Sequence, residues 1–178
     1  LKKGVTRQAF EQALKTRKLE PLVHAFPIHT GDYIFIPSGR IHAIGGGLLI
    51  LEIQQNSDTT YRVYDWGRVG LDGRPRDLHI RESMESIDFN DFEPSPSPID
   101  HATGMLVLCP EFSVALQTGF SCDGIHLDSF KLIYVLEGHG KIGGQEMKAG
   151  EIFFLPAAMK EASVEGDGQF RFFIVGVP

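Results

Sequence analysis

The 178-residue chain is 42% hydrophobic with a mean hydropathy of -0.07, the balance of a soluble globular protein and too apolar for a disordered one. Its net charge of -6 and pI of about 5.6 argue against a nucleic-acid-binding surface, and no apolar run is long enough to span a bilayer. The chain opens on Leu1, and no signal peptide is expected. Its two cysteines, Cys109 and Cys122, form no CxxC pattern. A reducing cytoplasm is therefore expected, with a disulfide between the two left open.

In chain order, the N-terminal stretch is the one good helix candidate. Thr6 can cap it, Phe10, Ala13 and Leu14 share a face, and Pro21 ends it. From residue 22 the period turns strand-like, and strands are expected over 22–28, 33–36, 48–54 and 60–66. Gly31-Asp32, Ser38-Gly39 and Gly45-Gly46-Gly47 supply the turns. Pro94, Pro96 and Pro98 sit on alternate positions. They cannot donate to a ladder, so 93–100 reads as a linker. Beyond it, strands are expected over 105–109, 112–118, 130–136, 152–155 and 170–177, punctuated by Gly138, Gly140, Gly143, Gly144 and Gly150. Many short strands with turn signals indicate an all-β sandwich or barrel.

The run Gly31-Asp32-Tyr33-Ile34-Phe35-Ile36-Pro37 recurs as Gly150-Glu151-Ile152-Phe153-Phe154-Leu155-Pro156. The first copy continues to Gly39 and His42; the second has Ala158 and Glu161 there. Two copies so far apart imply duplicated domains rather than a solenoid. The expected organisation is a first barrel over 1–92, the linker, and a second, non-catalytic barrel over 101–178. The second half has strands enough to close a small barrel. The first has about four where a closed barrel takes about eight, so the chain is expected to lack an N-terminal portion.

Several side chains could carry chemistry. His42 follows a Gly-strand-Pro-x-Gly frame and reads as a metal ligand, or as a histidine satisfied by backbone at a strand end. Alternation over 48–54 puts Glu52 on one face with Ile50 and Gln54. A carboxylate on so apolar a face is expected in a partly apolar, functional pocket. Asp58, Arg62, Tyr64, Asp65, Trp66 and Arg68 form a polar-aromatic cluster, with Arg62, Tyr64 and Trp66 on one face. It reads equally as an anion and sugar site or as a surface strand with ion pairs. In the second half, His126 and His139 are expected to be exposed or in turns, away from any metal.

The frame from Gly31-Asp32 through Ile36-Pro37-Ser38-Gly39-Arg40-Ile41-His42 resembles the second conserved motif of the cupin superfamily. The longer run, continuing through Ala43-Ile44-Gly45-Gly46-Gly47 and Leu51-Glu52-Ile53-Gln54-Gln55-Asn56-Ser57-Asp58-Thr59-Thr60-Tyr61-Arg62-Val63-Tyr64-Asp65-Trp66, resembles type I mannose-6-phosphate isomerase in its short bacterial form. Leu78-His79 after Arg76-Asp77 also fits. The resemblance implies two cupin-like jelly-roll β-barrel units, the first incomplete, with a short N-terminal helix. It implies zinc-dependent interconversion of mannose 6-phosphate and fructose 6-phosphate through a cis-enediol. His42 matches a zinc ligand, Arg62 the catalytic arginine and Glu52 a pocket glutamate, with Asp58 and Arg68 as substrate contacts. The remaining zinc ligands belong to a first cupin motif upstream of everything in this chain. It implies a phosphorylated hexose as partner, with no nucleic acid and no membrane. This chain alone is then expected to be inactive and to bind zinc weakly, since a stable site takes three or four ligands. The rival reading is a non-enzymatic cupin module that binds a sugar or a partner protein.

Overall fold

The computed structural model describes residues 1–99, 103–119 and 123–177. The chain divides into two compact units, Leu1–Pro98 and Ile99–Pro178.

In the first unit, α1 (Arg7–Thr16) starts where Thr6 accepts the Ala9 N–H on its hydroxyl. It ends at Arg17, in the left-handed conformation at φ 54, and not at Pro21. Pro21 instead lies within a single 3-10 turn, Glu20–Leu22. Phe10 is fully buried on the inner face of α1 and meets Phe89 edge-on at 5.6 Å. A second helix, α2 (Ile80–Ser86), was not legible as one. Leu1, Val5, Ala13, Leu19, Val63 and Met84 complete this core, with Ile41 and Ile87 packed against it.

Of the strands expected here, the described residues form only β1 (Asp32–Tyr33), paired antiparallel with β2 (Ser97–Pro98). The proline-rich segment thus joins a short ladder after all, with Pro98 placed opposite Asp32. Residues 22–28, 48–54 and 60–66 run without regular strand structure. An extended segment becomes a strand only when a neighbour takes its backbone hydrogen bonds, and these have no ladder partner among the described residues. Ile44, Leu48, Leu49, Ile50 and Leu51 are all exposed, Leu49 fully so.

The second unit is mainly β. Its strands are β3 (Gly104–Leu108), β4 (Ser113–Thr118), β5 (Gly124–His126), β6 (Lys131–Glu137), β7 (His139–Ile142), β8 (Gln145–Lys148), β9 (Ile152–Leu155), β10 (Glu161–Glu165) and β11 (Arg171–Gly176). They form one sheet in the order β5-β10-β7-β8 and another in the order β3-β4-β11-β6-β9. Ile125, Ile142, Met147 and Ala162 from the first sheet and Ile133, Val135, Leu155 and Phe172 from the second share one core. The unit is therefore two sheets over one core rather than the closed barrel expected, because β9 and β8 end their sheets unpaired with each other. Gly143 and Gly144, both at positive φ, join Ile142 to its partner Gln145 in a two-residue hairpin, as the right-handed twist of paired strands favours. Strands β5, β7, β8 and β10 escaped the sequence reading; they are short, and each carries too few apolar residues to show a strand period.

The repeat survives in the backbone. Gly31 and Gly150 stand at φ 90 and 87. The Asp32 N–H donates to the His29 carbonyl (3.0 Å) while the Asp32 carboxylate accepts the His29 N–H (2.7 Å). Glu151 does the same with Lys148, at 3.1 and 2.9 Å. Both copies fold into one turn type, closed by an acidic side chain that satisfies the orphan donor.

His126 and His139 are exposed, but each lies in a strand and not in a turn. His126 is in register with Glu161, and His139 with Lys148. Cys109 donates its thiol to the Phe112 carbonyl at 3.2 Å and is half-buried. Cys122 lies outside the described residues, and the question of a disulfide with it. Among the described residues no helix is long and apolar enough to cross a membrane.

Candidate functional site

The candidate residues all lie in the first unit. Ile41 packs inward, so its neighbour His42 is turned outward and exposed. The His42 ring donates Nδ1–H to the Arg40 carbonyl at 3.1 Å. In the neutral ring this leaves Nε2 as the acceptor, the arrangement a metal-ligating imidazole adopts. Glu52 is exposed, as are Leu51 and Gln54 around it. The expectation of a partly apolar pocket at Glu52 is corrected: without a ladder partner, residues 48–52 bury neither face. Asp58 is likewise exposed.

Arg62 is half-buried and held by the segment before α2. Its N–H donates to His79 Nδ1 (3.2 Å), its carbonyl accepts the His79 N–H (2.8 Å), and Nη1 donates to the Asp77 carbonyl (3.3 Å). Among the described residues this guanidinium meets a backbone carbonyl, where the cluster had suggested an anion or an ion pair. Local alternation does hold through this stretch. Val63 and Asp65 are buried, Arg62 and Tyr64 half-buried and Trp66 exposed; Tyr64 still packs against the core that holds Val63, and Trp66 lies edge-on to it at 5.1 Å. The Tyr64 hydroxyl reaches the Arg17 carbonyl and the Glu20 carboxylate, each at 3.1 Å, so this aromatic is tied to the end of α1. Arg68 lies over the Trp66 ring at 5.4 Å.

Two carboxylate–guanidinium forks matter more than the sequence indicated. Asp65, only 8% exposed, accepts a bidentate pair from Arg76, with Nε to Oδ2 at 2.7 Å. Arg62 and Arg68 add to the positive field around it. Asp91 accepts Nε and Nη2 of Arg40, both at 2.8 Å. Such forks give strong, directional charge-assisted bonds. The signal for Asp65 was present, since a carboxylate alternating with buried Val63 must find a donor. Nothing local marks Asp91.

These forks predict acid sensitivity. The Arg76 hydrogen bond holds the Asp65 carboxyl below the ordinary value of 3.8 against the opposing effect of burial, and Arg40 does the same for Asp91. As pH falls, the unfolded chain takes up protons at these sites before the folded chain does. Their stabilisation is complete above the ordinary carboxylate value and is lost as pH falls from there through the lowered folded values. Melting followed by circular dichroism is expected to show a midpoint that drops steeply below the ordinary carboxylate range. The drop is expected to be shallower in Asp65→Asn and Asp91→Asn; equal slopes in wild type and variants would contradict it.

The described hydrogen bonds of His42 and Arg62 lead to different neighbours, and Glu52 joins neither. No group of three or more His, Cys, Asp or Glu side chains is placed to hold a metal among the described residues. A cavity of about 340 Å³ in the first unit is lined by Glu11, Leu14, Lys15, Ile80 and Met84, none of them a candidate residue. His42 has the chemistry of one zinc ligand, but one ligand is too few for zinc.

No protein-family model matches the chain. Mannose-6-phosphate isomerase ManA of Bacillus subtilis is 34% identical over 174 residues, 92% of this chain and 55% of the relative. A mannose-6-phosphate isomerase of Streptococcus mutans is 34% identical over 175 residues, 91% of this chain and 54% of the relative. The crystal structure of the mannose 6-phosphate isomerase from Bacillus subtilis superposes with a TM-score of 0.78 at 28% identity, covering 97% of this chain and 57% of that one. The chain thus spans about half the length of the curated relatives it matches.

Proposed function

The chain is a homologue of the mannose-6-phosphate isomerases over nearly its whole length, and from that premise we propose that it contributes part of the active site of such an enzyme. The reaction would interconvert mannose 6-phosphate and fructose 6-phosphate. A base takes the C2 proton of the aldose, and the electron pair forms the C1–C2 double bond of a cis-enediol while the charge passes to the C1 oxygen. The C2 hydroxyl proton then passes to the C1 oxygen, and return of the abstracted proton to C1 gives the ketose. Glu52 is the candidate base or proton relay and Arg62 the group that steadies the anionic oxygen. Asp58 and Arg68 would contact the substrate. The described residues do not make a zinc site. In this reading His42 supplies one ligand and the others come from sequence outside this chain, in a first cupin unit of which residues 1–92 are only part. The second unit would be the non-catalytic cupin. A cytoplasmic location accords with a phosphorylated sugar as substrate.

The observation that carries the reading is the coincidence of near-complete coverage of this chain with the specific block around His42, Glu52 and Arg62. The exposed apolar residues from Ile44 to Leu51 support the idea that further strands pack there, since isolated edges and apolar patches are avoided. The test is a chimera in which the segment of the Bacillus subtilis relative that has no counterpart here is fused before Leu1. It is expected to turn over mannose 6-phosphate in a coupled assay and to lose that activity in His42→Ala. A folded chimera that binds mannose 6-phosphate without turning it over would support the non-enzymatic cupin module instead.

A further inference from the structure

We propose that Arg40 and Asp91 are a positioning pair that fixes the ring of His42 in one tautomer, with Nδ1 protonated and Nε2 presented outward as the acceptor. The value of that acceptor as a ligand rests on the function proposed above; the geometry does not.

The guanidinium of Arg40 uses all three nitrogens. Nε and Nη2 grip both carboxylate oxygens of Asp91 at 2.8 Å, and Nη1 donates to the Phe35 carbonyl at 2.7 Å. Both charged side chains are only 17% exposed, so the pair is shielded from competing water. One side chain thereby ties together the end of the 33–36 segment, the turn before His42, and a residue 51 positions downstream.

The backbone around Arg40 is pinned a second time. The Asp88 N–H donates to the Gly39 carbonyl at 2.9 Å. Gly39 itself stands at φ +87 with its Cα side against the chain leaving α2; a Cβ there would lie 2.9 Å from the Ser86 carbonyl oxygen and 3.3 Å from the Asp88 nitrogen. Only glycine takes this conformation at this approach without strain. On the other side, Ile41 is packed against the core around Phe10. Residues 35, 39, 40 and 41 are therefore each held by a separate interaction, and the Arg40 carbonyl between them has one direction available.

That carbonyl accepts Nδ1–H of His42. A carbonyl can only accept, so the bond selects the Nδ1–H form of the neutral ring. In histidines that ligate through Nε2, the hydrogen bond at the other nitrogen sets tautomer and ring orientation. Here the orienting acceptor is the chain's own backbone two residues earlier, and what keeps that acceptor in place is the Arg40–Asp91 fork. Neither residue would touch a substrate.

The test is a long-range proton–nitrogen correlation spectrum of the ¹⁵N-labelled chain at mildly alkaline pH, without metal or substrate, with the His42 signal assigned by its loss in His42→Gln. The wild type is expected to show Nδ1–H as the dominant form. Asp91→Asn and Arg40→Lys keep similar volumes but lose the charged fork. They are expected to lower the ratio of Nδ1–H to Nε2–H several-fold, while Arg81→Gln, which removes an exposed pair on α2, leaves it unchanged. Ring signals of Phe10 and Phe89 report whether the unit remains folded. If Asp91→Asn does not fold, Arg40→Lys carries the reading. An Nε2–H majority in the wild type overturns the proposal, as does an unchanged ratio in a folded fork variant. An inactive chimera would sink the isomerase reading and leave this result standing; a wrong tautomer would do the reverse.

Discussion

Replacing Arg62 by lysine in the completed chimera is expected to lower turnover on the order of 10²-fold with little change in KM, the loss typical when one preorganised donor to a developing oxyanion is removed. The argument begins with how Arg62 is held. Its backbone N–H and carbonyl both bond to His79, and its Nη1 donates to the Asp77 carbonyl at 3.3 Å, which gives one end of the planar head a backbone partner. A lysine keeps the charge, so the approach of a phosphorylated sugar is preserved. It cannot keep one nitrogen on Asp77 while offering a second along a fixed line. An effect confined to the transition state lowers kcat and kcat/KM together. Steady-state kinetics on the two chimeras decides the matter. A variant with near-normal turnover would remove Arg62 from the chemistry, and a rise in KM alone would make it a binding residue only.

In the second unit, Phe172→Ala is expected to cost about 3–5 kcal/mol, the range for deleting a buried aromatic ring. Phe172 is fully buried in β11, between Gln117 of β4 and Val135 of β6 in register, with the Phe170 ring 5.0 Å away. Neighbouring strands fix the backbone on both sides, so the space left by the ring cannot close. A loss of this size is comparable with the whole stability of many domains, about 5–15 kcal/mol. The variant is therefore expected to melt far below wild type or not to fold. Phe154→Ala is the matched comparison. It removes the same ring from β9, where Phe154 is 58% exposed and stacks on Phe130. It is expected to cost about 1 kcal/mol or less, near the usual range for surface changes. Denaturant unfolding of the two variants should separate them clearly; similar losses would mean that the burial of Phe172 is not what holds the sheets together.

What the residues determined on their own was local. Thr6 and the Phe10, Ala13 and Leu14 spacing located α1, and the apolar runs before Leu108, Thr118 and Leu155 located β3, β4 and β9. Gly31 and Gly150, each followed by an acid, determined two copies of one turn, because that turn needs a positive φ and an acceptor three residues on, both encoded within a few positions. The family block around His42, Glu52 and Arg62 was legible for the same reason.

Tertiary structure alone decided the rest. Alternation over 48–54 shows that two faces exist, but whether either is covered depends on a neighbour that the segment does not encode, and here Glu52 and Leu49 are both exposed. Asp65 finds Arg76 and Asp91 finds Arg40, pairings 11 and 51 residues apart. Such pairs are set by how the chain folds back and not by spacing. The ring state of His42 follows from the second of them. A histidine's position can be read from its motif, but its tautomer depends on which carbonyl the fold brings to Nδ1.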